Sequence, residues 1–182
     1  MGAAKAGDAL TECLKKQEAW ATLWPDDQQL ESTLLWRPVY RLLTRGRARI
    51  VLEGLEGELQ TNKASIQTVP RNLTIEHVMP QAWRRHWKLS DDTQNEAEVA
   101  SSRDRIIHTI GNLTLVNGRL NSSLSDACWD KKRAELREHD NLFLNKNLLD
   151  NALDVWGESH IEARARQLAK VAMRVWPHAD KI

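Results

Sequence analysis

Two segments in the middle of the chain carry the residue types that hydrolysis of a phosphodiester bond requires. Glu76 and His77 are adjacent, and Asn112 and Asn121 follow in the second segment. The reaction needs a base that deprotonates water, charge compensation at the phosphate and stabilisation of the leaving oxygen. One imidazole and one divalent cation meet these needs, and Mg2+ prefers oxygen ligands such as carboxylates and amides. This order of residues therefore predicts a metal-assisted hydrolytic site.

Each of these residues also has a simpler explanation when it is considered alone. A lone histidine such as His77 commonly packs in a core with its hydrogen bonds satisfied. Asn112 follows Gly111 and fits a turn that uses a left-handed backbone. Asn121 fits the position of a cap for the helix that follows it. Only the combination of these residues in this order favours a catalytic site over these structural roles.

The elements that must position these residues are two short strands and a helix. The predicted strands span residues 73–78 and 110–116, and the predicted helix spans residues 119–137, with a break near Ser125-Asp126. Adjacent residues on a strand point to opposite faces, so Glu76 and His77 serve one site only if the strand end bends. Met79 and Pro80 are placed to bend it. The arrangement predicts a small ββα-metal core.

Apolar residues at helical spacing dominate the rest of the sequence. Asp8 is a candidate cap for a first helix, and Pro25-Asp26 separates that helix from a second. The residues expected to be buried in the third and the last helix are Ile50, Leu52, Leu55 and Leu59, and Ile161, Ala165, Leu168, Ala172 and Trp176. The sequence thus predicts a predominantly helical α+β protein. Its expected parts are a helical lead-in at 1–70, the ββα-metal core at 71–140 and C-terminal helices at 141–182, all in one compact domain.

The composition is that of an ordinary globular protein, with 41% hydrophobic residues, 28% charged residues and a formal net charge of +1. A near-neutral total limits any contact with nucleic acid to local basic patches. The two cysteines lack the spacing of a zinc site and fit a reducing, cytoplasmic compartment. No apolar stretch approaches the roughly 20 residues of a membrane span, so we expect no membrane association.

The segments described above, with the residues around them, resemble a known family. Glu76-His77-Val78-Met79-Pro80-Gln81, Ile110-Gly111-Asn112-Leu113-Thr114-Leu115, Asn121 and Lys131 are similar to the motifs of the HNH, or His-Me finger, nucleases. More narrowly, the chain resembles the C-terminal nuclease domain of GmrSD-type modification-dependent restriction enzymes and related phage-defence proteins. The resemblance covers most of the chain, from Trp24 to Trp176. It implies a DNA endonuclease that nicks DNA or cuts both strands.

This resemblance also implies a role for each residue of the motif. His77 corresponds to the general base that activates water, and Glu76 and Asn121 correspond to ligands of Mg2+ or Mn2+. Asn112 corresponds to the residue that ties the loop between the strands and orients the histidine. Asp126 departs from the family's pattern, in which an asparagine is expected. The family also leads us to expect a ParB-like nucleotide-hydrolysing domain, N-terminal to the nuclease and outside this chain.

Basic residues near the motif are candidate DNA contacts. They are Arg84, Arg85, Lys88, Arg119, Lys131 and Lys132. His86 fits a solvated basic face or a phosphate contact, and His108 fits packing or capping before the second strand. Two other functions stay open: a catalytically silent DNA-binding or modification-sensing module on the same fold, and a helical interaction domain for a protein partner. The first binds DNA without cleaving it, and the second neither binds DNA nor responds to metal.

Overall fold

The computed structural model describes residues 3–19, 22–61, 69–70, 72–89, 94–151 and 154–178, and the structural statements that follow concern these residues. The helices are α1 (Ala3–Lys15), α2 (Asp27–Trp36), α3 (Val39–Leu42), α4 (Arg45–Thr61), α5 (Glu96–Ile106), α6 (Gly118–Leu124), α7 (Trp129–His139), α8 (Phe143–Asn151) and α9 (Glu158–Val175). The strands are β1 (Leu73–His77) and β2 (Leu113–Asn117). The prediction of a mainly helical α+β protein is confirmed.

The two strands form an antiparallel pair. Ile75 lies opposite Leu115, and His77 lies opposite Leu113. The first strand was placed correctly to within one residue. The second begins three residues later than predicted, at residue 113 instead of 110, because residues 110–112 form a 3₁₀ turn.

A capping box explains where α2 begins. Asp26 accepts a hydrogen bond from the amide of Gln29 at 2.7 Å, and the Gln29 side chain accepts one from the Asp26 amide at 3.1 Å. This capping box starts α2 at the position that Pro25-Asp26 predicts. The prediction that Asp8 caps the first helix is wrong, since α1 begins at Ala3 and includes Asp8.

Helix α4 packs against α9 in the larger of two apolar clusters. Leu52 and Leu55 are buried as predicted, but Ile50 is 61% exposed because it lies on the outer side of the helix. Gly54 is required by close packing. A Cβ atom at that position would lie 2.9 Å from the ring of Trp176.

The 3₁₀ turn before β2 lies directly against α9. A Cβ atom on Gly111 would lie 2.0 Å from the carbonyl oxygen of Ile161, so no larger residue fits without a shift of the backbone. The buried guanidinium of Arg164 donates to the carbonyls of Gly111 and Leu113 at 2.8 and 2.7 Å. These contacts fix the start of β2 on α9.

The apolar face predicted for α9 is largely confirmed. Ile161, Ala165, Leu168 and Ala172 are buried, whereas Trp176 at the end of the helix is 41% exposed. No helix in the described part of the chain is long and apolar enough to cross a membrane.

Candidate active site

A cleft of about 210 Å3 opens at the end of β1. It is lined by Glu76, His77, Pro80, Gln81, Ala82, Ser125 and Asp126. Glu76 and His77, although adjacent on the strand, both reach this cleft. The chain that leaves β1 is held to the second segment, since the amide of Val78 donates to the carbonyl of Asn112 at 2.9 Å.

Asn112 is fully buried and joins three segments. Its side-chain oxygen accepts hydrogen bonds from the Met79 amide at 2.8 Å and from the Trp156 indole at 3.1 Å. Its side-chain nitrogen donates to the carbonyls of Met79 and Ile107 at 2.8 and 2.9 Å. Asn112 therefore fixes the turn that follows His77, and these bonds leave its amide no capacity to hold a metal ion.

His77 is buried between two other rings. Its Nε2 atom lies 3.3 Å from Nδ1 of His108, and the Tyr40 ring packs edge-on at 4.4 Å between centroids. Burial, reinforced by electrostatic interaction with His108, Lys132 and Arg41, lowers the pKa of His77 to about 3. The imidazole is therefore neutral near pH 7. One ring nitrogen is engaged by His108, which leaves Nδ1 for another partner.

The burial of a neutral His77 predicts that the free energy of unfolding decreases as the pH falls. The unfolded chain takes up a proton near pKa 6.5, whereas the folded chain resists protonation down to about 3. Because the unfolded state binds more protons between these values, the contribution is complete above about pH 6.5 and is progressively lost toward pH 3. Denaturant titrations should show a steeper loss for the wild type than for His77→Ala; parallel pH profiles would contradict the burial of a neutral ring.

Glu76 is paired with a lysine from α7. The Lys132 ammonium donates to Oε1 of Glu76 and, at 2.8 Å, to the carbonyl of His77. Burial raises the pKa of Glu76, and the charge of Lys132 opposes that rise. Lys132 is fully buried. Its prediction as a DNA contact therefore needs correction, because its ammonium is directed inward, onto Glu76 and the carbonyl of His77.

Asn121 lies on the second turn of α6, beside a different cleft. That cleft, of about 330 Å3, is also lined by Tyr40, Arg45, Arg49 and Ile75. Asn121 is not the cap of α6, because Asn117 has that role: its side chain accepts a hydrogen bond from the Leu120 amide at 2.8 Å. The structure thus joins Glu76, His77 and Asn112 closely and places Asn121 at a neighbouring opening.

Asp126, noted in the sequence only as a departure from a pattern, lines the same cleft as Glu76 and His77. It follows the predicted break between α6 and α7, where Ser125 has a positive φ of 34°. Arg85 donates to its carboxylate at 2.6 Å and lowers the pKa of Asp126. The two carboxylates of the cleft are thus each held by a basic side chain.

The other predicted DNA contacts lie at the surface. Arg84 forms a two-pronged ion pair with Asp104 at 2.8–2.9 Å. Lys88, Arg119 and Lys131 are exposed. Exposed guanidinium and ammonium groups of this kind are able to contact phosphates.

Two of the residues around His77 were not recognised as parts of a site in the sequence. Tyr40 lies in α3, 37 positions before His77, and His108 lies 31 positions after it. No local pattern connects them to the motif. Lys132 was noticed, but its periodicity on α7 did not show that it faces inward.

The cleft has donors that suit a hard divalent cation. Glu76 and Asp126 line the same cavity, and Mg2+ commonly uses one or two carboxylates and completes its shell with water. In the part of the chain that the structure describes, no cluster of three or more His, Cys, Asp or Glu side chains could hold a metal ion. Carboxylate oxygens are donors that suit Mg2+ or Mn2+, whereas a structural zinc ion takes four Cys or His ligands.

A comparison with protein families identifies the family of the chain. The family model described as "GmrSD restriction endonucleases, C-terminal domain" matches residues 24–171, which is most of the chain and includes the whole cleft. No curated protein matches the chain. The family match confirms the narrower resemblance, to the C-terminal domain of GmrSD-type restriction enzymes. This chain belongs to the family of GmrSD restriction endonuclease C-terminal domains.

Proposed function

We propose that the chain is a metal-dependent DNA endonuclease of the HNH type that hydrolyses phosphodiester bonds with His77 as the general base. The observation that carries this proposal is that His77 and Glu76, adjacent on β1, line one open cleft. Membership of a restriction endonuclease family makes DNA the substrate that fits best. The ββα-metal core, with β1, β2 and α6 as its three elements, belongs to the same proposal.

Each side chain at or behind the cleft has a separate role in the proposed reaction. Nδ1 of His77 takes the proton from the attacking water, while His108 on the other ring nitrogen fixes the orientation of the imidazole. The ring is neutral at physiological pH and so has a lone pair that accepts this proton, although a pKa of about 3 makes the metal-free imidazole a weak base. Asn112 holds the turn after His77 and so keeps the base at the mouth of the cleft.

Glu76 is the residue that would hold Mg2+ or Mn2+, and Asp126 faces the same cavity. When bound, such an ion supplies Lewis-acid stabilisation of the phosphate and the leaving oxygen. Asn121 remains a proposed ligand. It lies on α6, which packs against β1, the strand that carries Glu76.

The family is also the basis of a proposed biological setting. We place this nuclease in bacterial restriction and defence against phages, in the cytoplasm, with an N-terminal ParB-like domain of the same protein as partner. Surface residues Arg84, Arg85, Lys88, Arg119 and Lys131 would contact the DNA backbone and set its position on the cleft.

The direct test is cleavage of supercoiled plasmid by the purified chain with Mg2+, with Mn2+ and with EDTA. We expect open-circular or linear product only with a divalent ion. DNA binding that weakens with salt but gives no product with either ion would instead support the catalytically silent module. Absence of both binding and metal response would support a protein-interaction domain.

Asn121→Ala should raise the Mg2+ concentration needed for half-maximal nicking, by roughly tenfold if the side chain reaches the metal during the reaction. Titration of Mg2+ against the nicking rate measures the effect. Asn141→Ala, in the exposed loop between α7 and α8, is the matched control. An unchanged Mg2+ requirement in Asn121→Ala would exclude ligation by this residue and leave Glu76 and Asp126 as the ligands to examine.

A further inference from the structure

Lys132 is an unusual residue for the interior of a small protein. Its side chain is 1% exposed, and the side chain of its partner Glu76 is 10% exposed. Removing an ammonium group from water is costly unless a counter-charge and further acceptors replace the lost hydration. Lys132 finds both at the cleft, in the Glu76 carboxylate and in the carbonyl of His77.

The position of this ammonium matters more than its burial. It lies on the carboxylate that the proposed function assigns to the metal ion, and it also holds the backbone of the proposed general base. Burial lowers the pKa of Lys132, whereas the Glu76 carboxylate and, more weakly, the charge of Asp126 oppose that decrease and favour the ammonium form. A divalent cation that approaches Glu76 therefore meets a carboxylate whose charge is already balanced by a nearby positive group.

We infer that Lys132 is a built-in cation of the cleft, which neutralises Glu76 in the metal-free protein and competes with a divalent ion for that carboxylate. This inference rests on the proposed function, because it takes Glu76 as the metal-binding residue. This competition makes the fraction of Glu76 that binds a divalent ion depend on the metal concentration. The ammonium keeps the site folded without metal. The ion binds only at a concentration at which its attraction to Glu76 exceeds its repulsion by the Lys132 ammonium.

The inference is tested by Lys132→Met, which keeps the length of the side chain and removes its charge. Without metal, the variant buries an unpaired carboxylate, and its Tm should fall by roughly 10 °C. Added Mn2+ should bind at least about tenfold more tightly than to the wild type, because a positive charge a few ångströms away is gone. The Mn2+-induced rise in Tm should be correspondingly larger. Calorimetric titration with MnCl2 and thermal unfolding of the full chain measure both quantities.

Two control variants make the result specific. Lys131→Met removes the neighbouring exposed lysine of α7 and should leave Mn2+ affinity within about twofold of the wild type. Glu76→Gln combined with Lys132→Met removes both charges and should abolish the gain in Mn2+ affinity while it recovers the metal-free Tm. Unchanged or weaker Mn2+ binding in Lys132→Met would overturn the inference. So would a Lys132→Met chain that stays unfolded at saturating Mn2+, because the ion would then not replace the ammonium.

The outcome is independent of cleavage, so it separates the two proposals. A wild type that cleaves plasmid, together with unaltered Mn2+ affinity in Lys132→Met, would refute the competition and leave the nuclease proposal standing. A wild type that never cleaves, together with tighter Mn2+ binding in Lys132→Met, would refute the nuclease proposal and support the built-in cation.

Discussion

Replacing His77 with alanine should lower the rate of DNA cleavage by roughly a thousandfold while the chain stays folded. The imidazole is neutral, since burial lowers its pKa to about 3, and it is the one histidine that lines the cleft of Glu76 in the described part of the chain. Its loss removes the proton acceptor for the attacking water. Plasmid nicking at saturating Mg2+ measures the effect, and salt-dependent DNA binding should be retained.

The matched control for this change is His139→Ala, at an exposed position of α7. That variant should nick plasmid at the wild-type rate. Full activity of His77→Ala would refute the mechanism. Loss of activity accompanied by an unfolded circular dichroism spectrum would assign the ring a structural role with Tyr40 and His108, and it would remove the support for general-base catalysis.

Asn112→Ala should lower the free energy of unfolding by about 3 kcal/mol or more and should also abolish cleavage. The substitution leaves four buried groups without their partner: the amide and carbonyl of Met79, the carbonyl of Ile107 and the indole of Trp156. Each unsatisfied buried group costs on the order of 1–3 kcal/mol, and partial relaxation reduces the sum. Urea denaturation followed by tryptophan fluorescence measures the change.

An asparagine on the surface provides the comparison for this loss. Asn147→Ala, at an exposed position of α8, should change the free energy of unfolding by less than about 0.5 kcal/mol. If Asn112→Ala were equally mild, the hydrogen-bond network around residue 112 would not hold the turn after β1. The geometric argument for the orientation of His77 would then fail with it.

The secondary structure was largely predictable because its determinants are local. The capping box of Asp26 and Gln29, the alternation along β1 and the apolar spacing of α9 each involve residues a few positions apart. The errors arose where tertiary contacts override these patterns. The turn at Gly111 is 3₁₀ because it packs on α9, and Ile50 is exposed because the inner face of α4 is set by its neighbours.

The candidate site was predictable only in part. The spacing of Glu76, His77 and Asn112 indicated hydrolytic chemistry, and the structure gathers them at the end of β1. The spacing did not indicate which residues surround Glu76, His77 and Asn112. Lys132 is 56 positions from Glu76, and His108 is 31 positions from His77, so no periodicity relates the partners.

The sequence by itself determined the mainly helical α+β class, the two strands and the motif that belongs to a restriction endonuclease family. Only the tertiary structure decided that Lys132 faces inward onto Glu76, that Asp126 shares its cleft and that Asn121 lines another. The physical reason is the separation in sequence between the residues that interact. Helix caps and strand alternation depend on neighbours in the chain, whereas the burial of a charge and the choice of its partner depend on how distant elements pack.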